Sequence, residues 1–235
     1  MEARVARLNE WWGSRKLSEV NGITCRGYVA SRPGSGGARR DLEDLRSAIN
    51  HHRKEGFHRE VVEVTLPEKG GPKERWLTRD EAARLIWTCW RYREKQSSSR
   101  KNKNAPKRPT AKKPLQHIAR FILIGLYSGS RSGAIMAASP VQKEGRFYVD
   151  LDRGVFYRLQ QGARKTKKHQ TPARLSPRLL AHLRRWEAKG IANECFIEFN
   201  GLPIKSVKTG FKSAVQKAGL GDDVSPHTLR HTAAT

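Results

Sequence analysis

The chain has 235 residues, with 47 Lys and Arg against 22 Asp and Glu, a net charge of +25 and a pI near 10.7. That length accommodates one large domain or two small ones, and that charge points to a polyanionic partner: DNA, RNA or an anionic membrane. The six Trp and seven Phe argue against a disordered chain, and the longest apolar run, Phe121 to Tyr127, is too short to span a bilayer.

Residues 1–66 read as a small helical domain. Val5, Leu8, Trp11 and Trp12 recur at helical spacing until Gly13 stops the pattern. A second helix fits Ile23 to Ser31 and ends at Pro33-Gly-Ser-Gly-Gly37. A third begins near Ala38, with Leu42, Leu45 and Ile49 as its apolar stripe. Arg39 and Arg40 open that helix as either a solvated pair or phosphate contacts.

Residues 67–72, rich in Pro and Gly, read as a linker. Thr78-Arg-Asp-Glu81 is a capping box, and it starts a helix carrying Ala82, Leu85, Ile86, Cys89 and Trp90. Residues 94–114 offer almost nothing to bury and predict a flexible basic loop. Its Arg100, Lys101, Lys103, Lys107, Arg108, Lys112 and Lys113 are candidate phosphate contacts. A helix follows from Leu115 to Tyr127.

Alternation then predicts strands at Arg146–Leu151 and Val155–Leu159 around a turn at Asp152-Arg-Gly154. A basic turn, Gly162 to Gln170, leads to a third strand at Thr171–Leu175. Arg178 to Lys189 forms a helix with Leu179, Leu180, Leu183 and Trp186 inward, and Phe211, Val215 and Ala218 mark another. The fold class is mainly α with a small antiparallel β-sheet (α+β).

The positive charge is unevenly spread. Residues 1–66 hold 12 basic and 9 acidic side chains, whereas residues 91–114 hold 10 and 1, and residues 115–174 hold 11 and 3. The excess therefore lies in the middle third. Cys25, Cys89 and Cys195 are odd in number and widely spaced, which argues against a disulfide framework or a cysteine-rich metal site. His227 and His231 stand four apart with no Glu after His227 and no evident third ligand, so no metal site is expected.

Three segments carry potential chemistry. Ser225-Pro-His-Thr-Leu-Arg230 starts a helix with an N-cap Ser and a first-turn Pro. Its His227 and Arg230 are three apart and share a face near the helix N-terminus, where anions are favoured. Ser128-Gly-Ser-Arg131 is a glycine turn that presents an arginine able to fork onto phosphate oxygens. Arg164-Lys-Thr-Lys-Lys168 is a basic turn whose lysine could reach a DNA groove or protonate a leaving oxygen.

In this order the three segments resemble the tyrosine recombinases, the phage-integrase family. The resemblance implies a helical core-binding domain at 1–66, a linker at 67–72 and a catalytic domain at 73–235. It implies Arg131, Lys165, His227 and Arg230 as catalytic residues, with Lys167 as the alternative lysine. Arg39, Arg40, Arg164, Lys167, Lys168 and the basic loop would contact DNA. No cofactor is implied. The partner would be double-stranded DNA, bound by a homo-tetramer, in a cytoplasmic, nucleoid-associated protein of a bacterial or phage mobile element, with no membrane role.

The implied chemistry is attack by a tyrosine on a phosphodiester, giving a 3′-phosphotyrosine. Ala134 stands where the family often has an acid. The family's nucleophile follows the H-x-x-R helix, but Tyr28, Tyr92, Tyr127, Tyr148 and Tyr157 all precede it. The expectation is therefore a chain that binds DNA without cutting it. The competing readings are a non-catalytic DNA-binding protein and a type IB topoisomerase-like enzyme.

Overall fold

A computed structural model of the chain describes residues 2–32, 35–71, 74–98, 106–163 and 171–235. They fall into two units, Met1–Lys73 and Glu74–Thr235, each with its own core.

In the first unit, α1 (Glu2–Trp12), α2 (Gly22–Ser31) and α3 (Ser35–Lys54) pack around Leu8, Trp12, Cys25, Tyr28, Leu42 and Ile49. Among these, a fully buried Leu or Ile contributes about 1.5–3 kcal/mol. Asn21 caps α2, its carboxamide oxygen accepting from the N–H groups of Ile23 and Thr24. Helix α3 begins at Ser35, before the predicted Ala38, so Gly36 and Gly37 fall in its first turn. Val5 stays 49% exposed, so the apolar face of α1 is narrower than its spacing suggested.

Helix α3 also buries a charge. Asp41 is 1% exposed, and its carboxylate accepts from the Tyr28 hydroxyl at 2.7 Å and pairs with Arg32 at 3.0 Å and Arg7 at 3.3 Å. Burial pushes its pKa up, but Tyr28, Arg7 and Arg32 outweigh that and hold it below the ordinary carboxylate value. The Tyr28 hydroxyl, buried beside that carboxylate, is pushed up to about 12.

The second unit starts at α4 (Arg79–Arg91) with the expected capping box: Glu81 N–H donates to Thr78 Oγ1, and Thr78 N–H to Glu81 Oε2. Arg75 adds a bidentate contact to Glu81 and a 2.7 Å pair with Asp223. The basic stretch 94–114 is not wholly a loop. Lys95–Ser97 (β1) and Lys107–Pro109 (β2) form an antiparallel ribbon, extended by bonds between Glu94 and both Thr110 and Lys112. An exposed ribbon of this kind needs no apolar face, which is why composition alone missed it.

The core of this unit is α5 (Gln116–Ser128), apolar on nearly every side, wrapped by α4, by α7 (Pro177–Ala188), by α8 (Lys208–Lys217) and by α9 (Pro226–Ala234). Beside it the short helix α6 (Ser132–Met136) leads into a four-stranded sheet in the order β3 (Ala138–Ser139), β4 (Phe147–Asp150), β5 (Val155–Phe156) and β6 (Ala173–Arg174). The sheet is mixed, because β3 pairs with β4 in parallel while the other pairs are antiparallel. The observed strands are shorter than the alternating runs that predict them. A last hairpin, β7 (Glu198–Phe199) and β8 (Leu202–Pro203), turns through Asn200 and Gly201. The buried Arg120 holds it, donating to the carbonyls of Phe196 and Glu198.

Candidate active site

Two helix termini bring distant arginines together. Helix α5 ends at Gly129, whose φ of 58° is left-handed and whose N–H donates to Gly125 O. A residue with a side chain would pay about 1 kcal/mol or more there. The reversal delivers Arg131 to the N-cap position of α6, exposed and making no capping bond with its side chain.

Helix α9 is set against α5 by a missing side chain. A Cβ at Gly125 would lie 3.0 Å from Leu229 Cδ1 and 3.3 Å from Leu229 Cβ, so the close approach needs glycine. Pro226 occupies the first turn, and Ser225 N–H donates to Thr228 Oγ1 at 3.0 Å. Further along, Thr232 Oγ1 donates to Thr228 O and accepts from Leu77 N–H at 2.9 Å. With Leu229 buried, the next residue, Arg230, is half-buried on the flank.

Arg131 and Arg230 line one pocket of about 570 Å³, with Ala134, Ala137 and Phe147 as its small and apolar wall. That volume lies within the range of ligand sites. A third arginine, Arg158, lines it too, its Nε donating to Thr171 O at 2.8 Å. Burial first, then the charges of Arg230 and Arg131, hold the Arg158 pKa below the ordinary guanidinium value. Among the described residues no Asp or Glu lines this pocket. Three cations that repel one another without a counter-charge make a site electrostatically ready for an anion.

The other expected residues are distributed differently. His227 is exposed one turn before Arg230 and does not line the pocket; its ring meets His231 edge-on at 4.6 Å between centroids. Lys165 and Lys167, with Arg164 and Lys168, lie outside the described residues, as do Arg100, Lys101 and Lys103. Thr171, the first described residue after the basic stretch, lines the arginine pocket. Lys107, Arg108, Lys112 and Lys113 are all exposed. In the first unit Arg39 pairs with Glu43 at 3.0 Å and donates to Pro67 O, while Arg40 projects 69% exposed. Among the described residues no group of three His, Cys, Asp or Glu could hold a metal, and no helix is long and apolar enough to cross a membrane.

Arg158 is the residue that nothing in the sequence singles out. It sits in an alternating run that reads as strand packing, and its convergence with two helix-borne arginines depends on tertiary contacts. A weak signal was available: a polar residue between Tyr157 and Leu159, close to a basic turn.

No protein-family model matches the chain, and no curated protein sequence does. Solved structures do. The Tn1549 transposon integrase (residues 82–397, Y379F) in complex with transposon right end DNA aligns over 99% of this chain and 77% of its own, at 15% identity and a TM-score of 0.67. A lambda integrase (75–356) dimer bound to a COC′ core site aligns over 99% and 79%, at 14% identity and a TM-score of 0.63. XerH site-specific recombinase bound to palindromic difH substrate aligns over 98% and 65%, at 13% identity and 0.62. Across nearly its whole length, this chain has the fold of the tyrosine recombinases.

Proposed function

We propose that the chain binds duplex DNA and belongs to the machinery of site-specific recombination or integration, with Arg131 and Arg230 clamping one phosphodiester. The observation that carries this reading is the convergence of these two arginines in a pocket with no carboxylate among its described lining residues, in a fold whose solved examples include DNA-bound integrases. Two planar forks suit the two non-bridging oxygens of a diester, and they stabilise the charge that grows as phosphorus becomes five-coordinate. In the reaction a tyrosine oxygen bonds to phosphorus, the bond to the 5′ oxygen breaks, and that oxygen takes a proton. Lys165, or Lys167, supplies the proton, and His227 orients and assists. Residues 1–66 act as a core-binding domain, joined by residues 67–72 to a catalytic domain at 73–235. Four copies assemble on two duplexes, as in the lambda integrase tetramer bound to a Holliday junction.

None of the five tyrosines lines the arginine pocket. Tyr28 is bonded to Asp41, Tyr92 lies 4.3 Å beneath the Lys217 ammonium, Tyr148 and Tyr157 stack on each other, and Tyr127 stands on the exposed side of α5. The 235-residue chain is therefore proposed to bind without cutting. Fluorescence anisotropy on a labelled duplex over a salt series tests the binding: Arg131→Gln and Arg230→Gln should each flatten the log–log salt slope by about one unit. Unchanged slopes in both variants would refute the clamp. A covalent protein–DNA adduct formed by this chain on supercoiled plasmid would refute the absence of cutting.

A further inference from the structure

The arginine pocket holds more positive charge than one phosphodiester can use. A diester has one negative charge and two non-bridging oxygens, and two arginine forks already satisfy them. Arg158 remains. It is not neutralised, since among the described residues no carboxylate pairs with it, and its Nε is held by the Thr171 carbonyl at 2.8 Å. That leaves both terminal nitrogens without a protein acceptor among the described residues.

Its mounting is also different. Arg131 and Arg230 come from helix termini, while Arg158 comes from the segment just beyond β5. Gln160, two residues on, donates to Gly145 O and so fixes that segment. The pocket's volume is about 570 Å³, within the range that takes whole small-molecule ligands. One phosphate group does not fill it.

We propose that Arg158 grips the phosphate next to the one held by Arg131 and Arg230, so that the pocket takes two consecutive phosphates of one strand. Three guanidinium charges then face two phosphate charges rather than one. Arg158 becomes a positioning residue that fixes which phosphodiester sits under the other two arginines. This rests on the DNA-clamping role proposed for Arg131 and Arg230.

The test compares d(TpT), with one diester, and d(TpTpT), with two consecutive diesters, titrated by NMR into the full chain. The unmodified protein should bind d(TpTpT) about tenfold more tightly, the scale of one charge-assisted contact. Arg158→Gln should weaken d(TpTpT) far more than d(TpT) and so remove that preference, whereas Arg131→Gln should weaken both to a similar degree. Arg158→Lys, which keeps the charge but loses the fork, should restore part of the preference. If Arg158→Gln weakens both ligands equally, Arg158 shares the first phosphate and the proposal fails. If it weakens neither, Arg158 is structural and the proposal also fails. Should the unmodified protein bind neither ligand, or Arg131→Gln leave both unchanged, the clamping role itself falls, and this inference with it. A variant that does not fold leaves a measurement on the unmodified protein: d(TpTpT) with either phosphate replaced by an uncharged methylphosphonate should lose the preference. Retention of the full preference with one phosphate neutral would overturn the two-phosphate pocket.

Discussion

Arginines cluster in both units, and the clusters differ in one respect. In the first unit Arg7 and Arg32 converge on Asp41, and Tyr28 donates to the same buried carboxylate. In the second, Arg131, Arg158 and Arg230 converge on a pocket with no carboxylate among its described lining residues. The first cluster contains its own anion and holds a fold together. The second lacks one, so its electrostatic free energy is lowered only by an anion from outside.

The largest effect should come from removing the internal anion. Asp41→Asn leaves Arg7 and Arg32 facing a neutral group, and breaking a buried pair of this kind costs about 3 kcal/mol. Chemical denaturation of the first unit's transition should show that loss. A loss below about 0.5 kcal/mol, the ordinary surface value, would remove the contrast with the arginine pocket.

Next comes the frame of the pocket. Gly125→Ala places a methyl 3.0 Å from Leu229 Cδ1, and overpacking of this sort costs about 1–3 kcal/mol. Thermal unfolding should report the destabilisation. DNA affinity should fall as well, because the displaced helix carries Arg230.

Acid should separate arginines that hold a carboxylate, at Asp41 and at Glu81, from those of the pocket. Asp41 is held below the ordinary carboxylate value, and Glu81, bonded first by Arg75 and then by the Thr78 N–H, is held down at about 2. A carboxyl lowered in the folded state adds stability above its unfolded pKa, and that stability is lost as pH falls through the folded value. For Glu81 the loss runs from about 4.3 down to about 2. Arg75→Gln should flatten the acid limb of a stability–pH curve over that window. Arg131→Gln should leave the acid limb unchanged, since the arginine pocket has no described carboxylate to protonate.

The smallest stability effect is expected in the pocket itself. Arg131→Gln and Arg230→Gln remove repulsion as well as charge, so each should shift unfolding free energy by no more than about 0.5 kcal/mol. A marked destabilisation by either would mean that its guanidinium supports the fold and would weaken the contrast.

The sequence disclosed local signals well. Thr78 and Glu81 form the capping box their spacing predicts, and Ser225-Pro226 opens the helix that carries His227 and Arg230. The pairing of Arg131 with Arg230 followed from resemblance to a family and not from spacing, since nothing local links residues so far apart. Three features stayed hidden for physical reasons. Asp41 sits beside the stripe of Leu42 and Leu45, and periodicity does not reveal that its partners come from α1 and from the end of α2. The β1–β2 ribbon is exposed on every residue, so it leaves no hydrophobic trace. Arg158 reads as strand because the contact that gives it meaning is made across the fold.

The bond between Leu77 N–H and Thr232 Oγ1 offers a way to observe the site from a distance. That amide is protected only while α9 is seated, so its hydrogen-exchange rate follows the opening of the helix that carries Arg230. An anion that ties Arg230 to Arg131 adds its binding free energy to the seated state. Exchange at Leu77 should then slow in proportion to occupancy of the pocket, making one backbone amide in the approach to α4 a reporter of ligand on the far element.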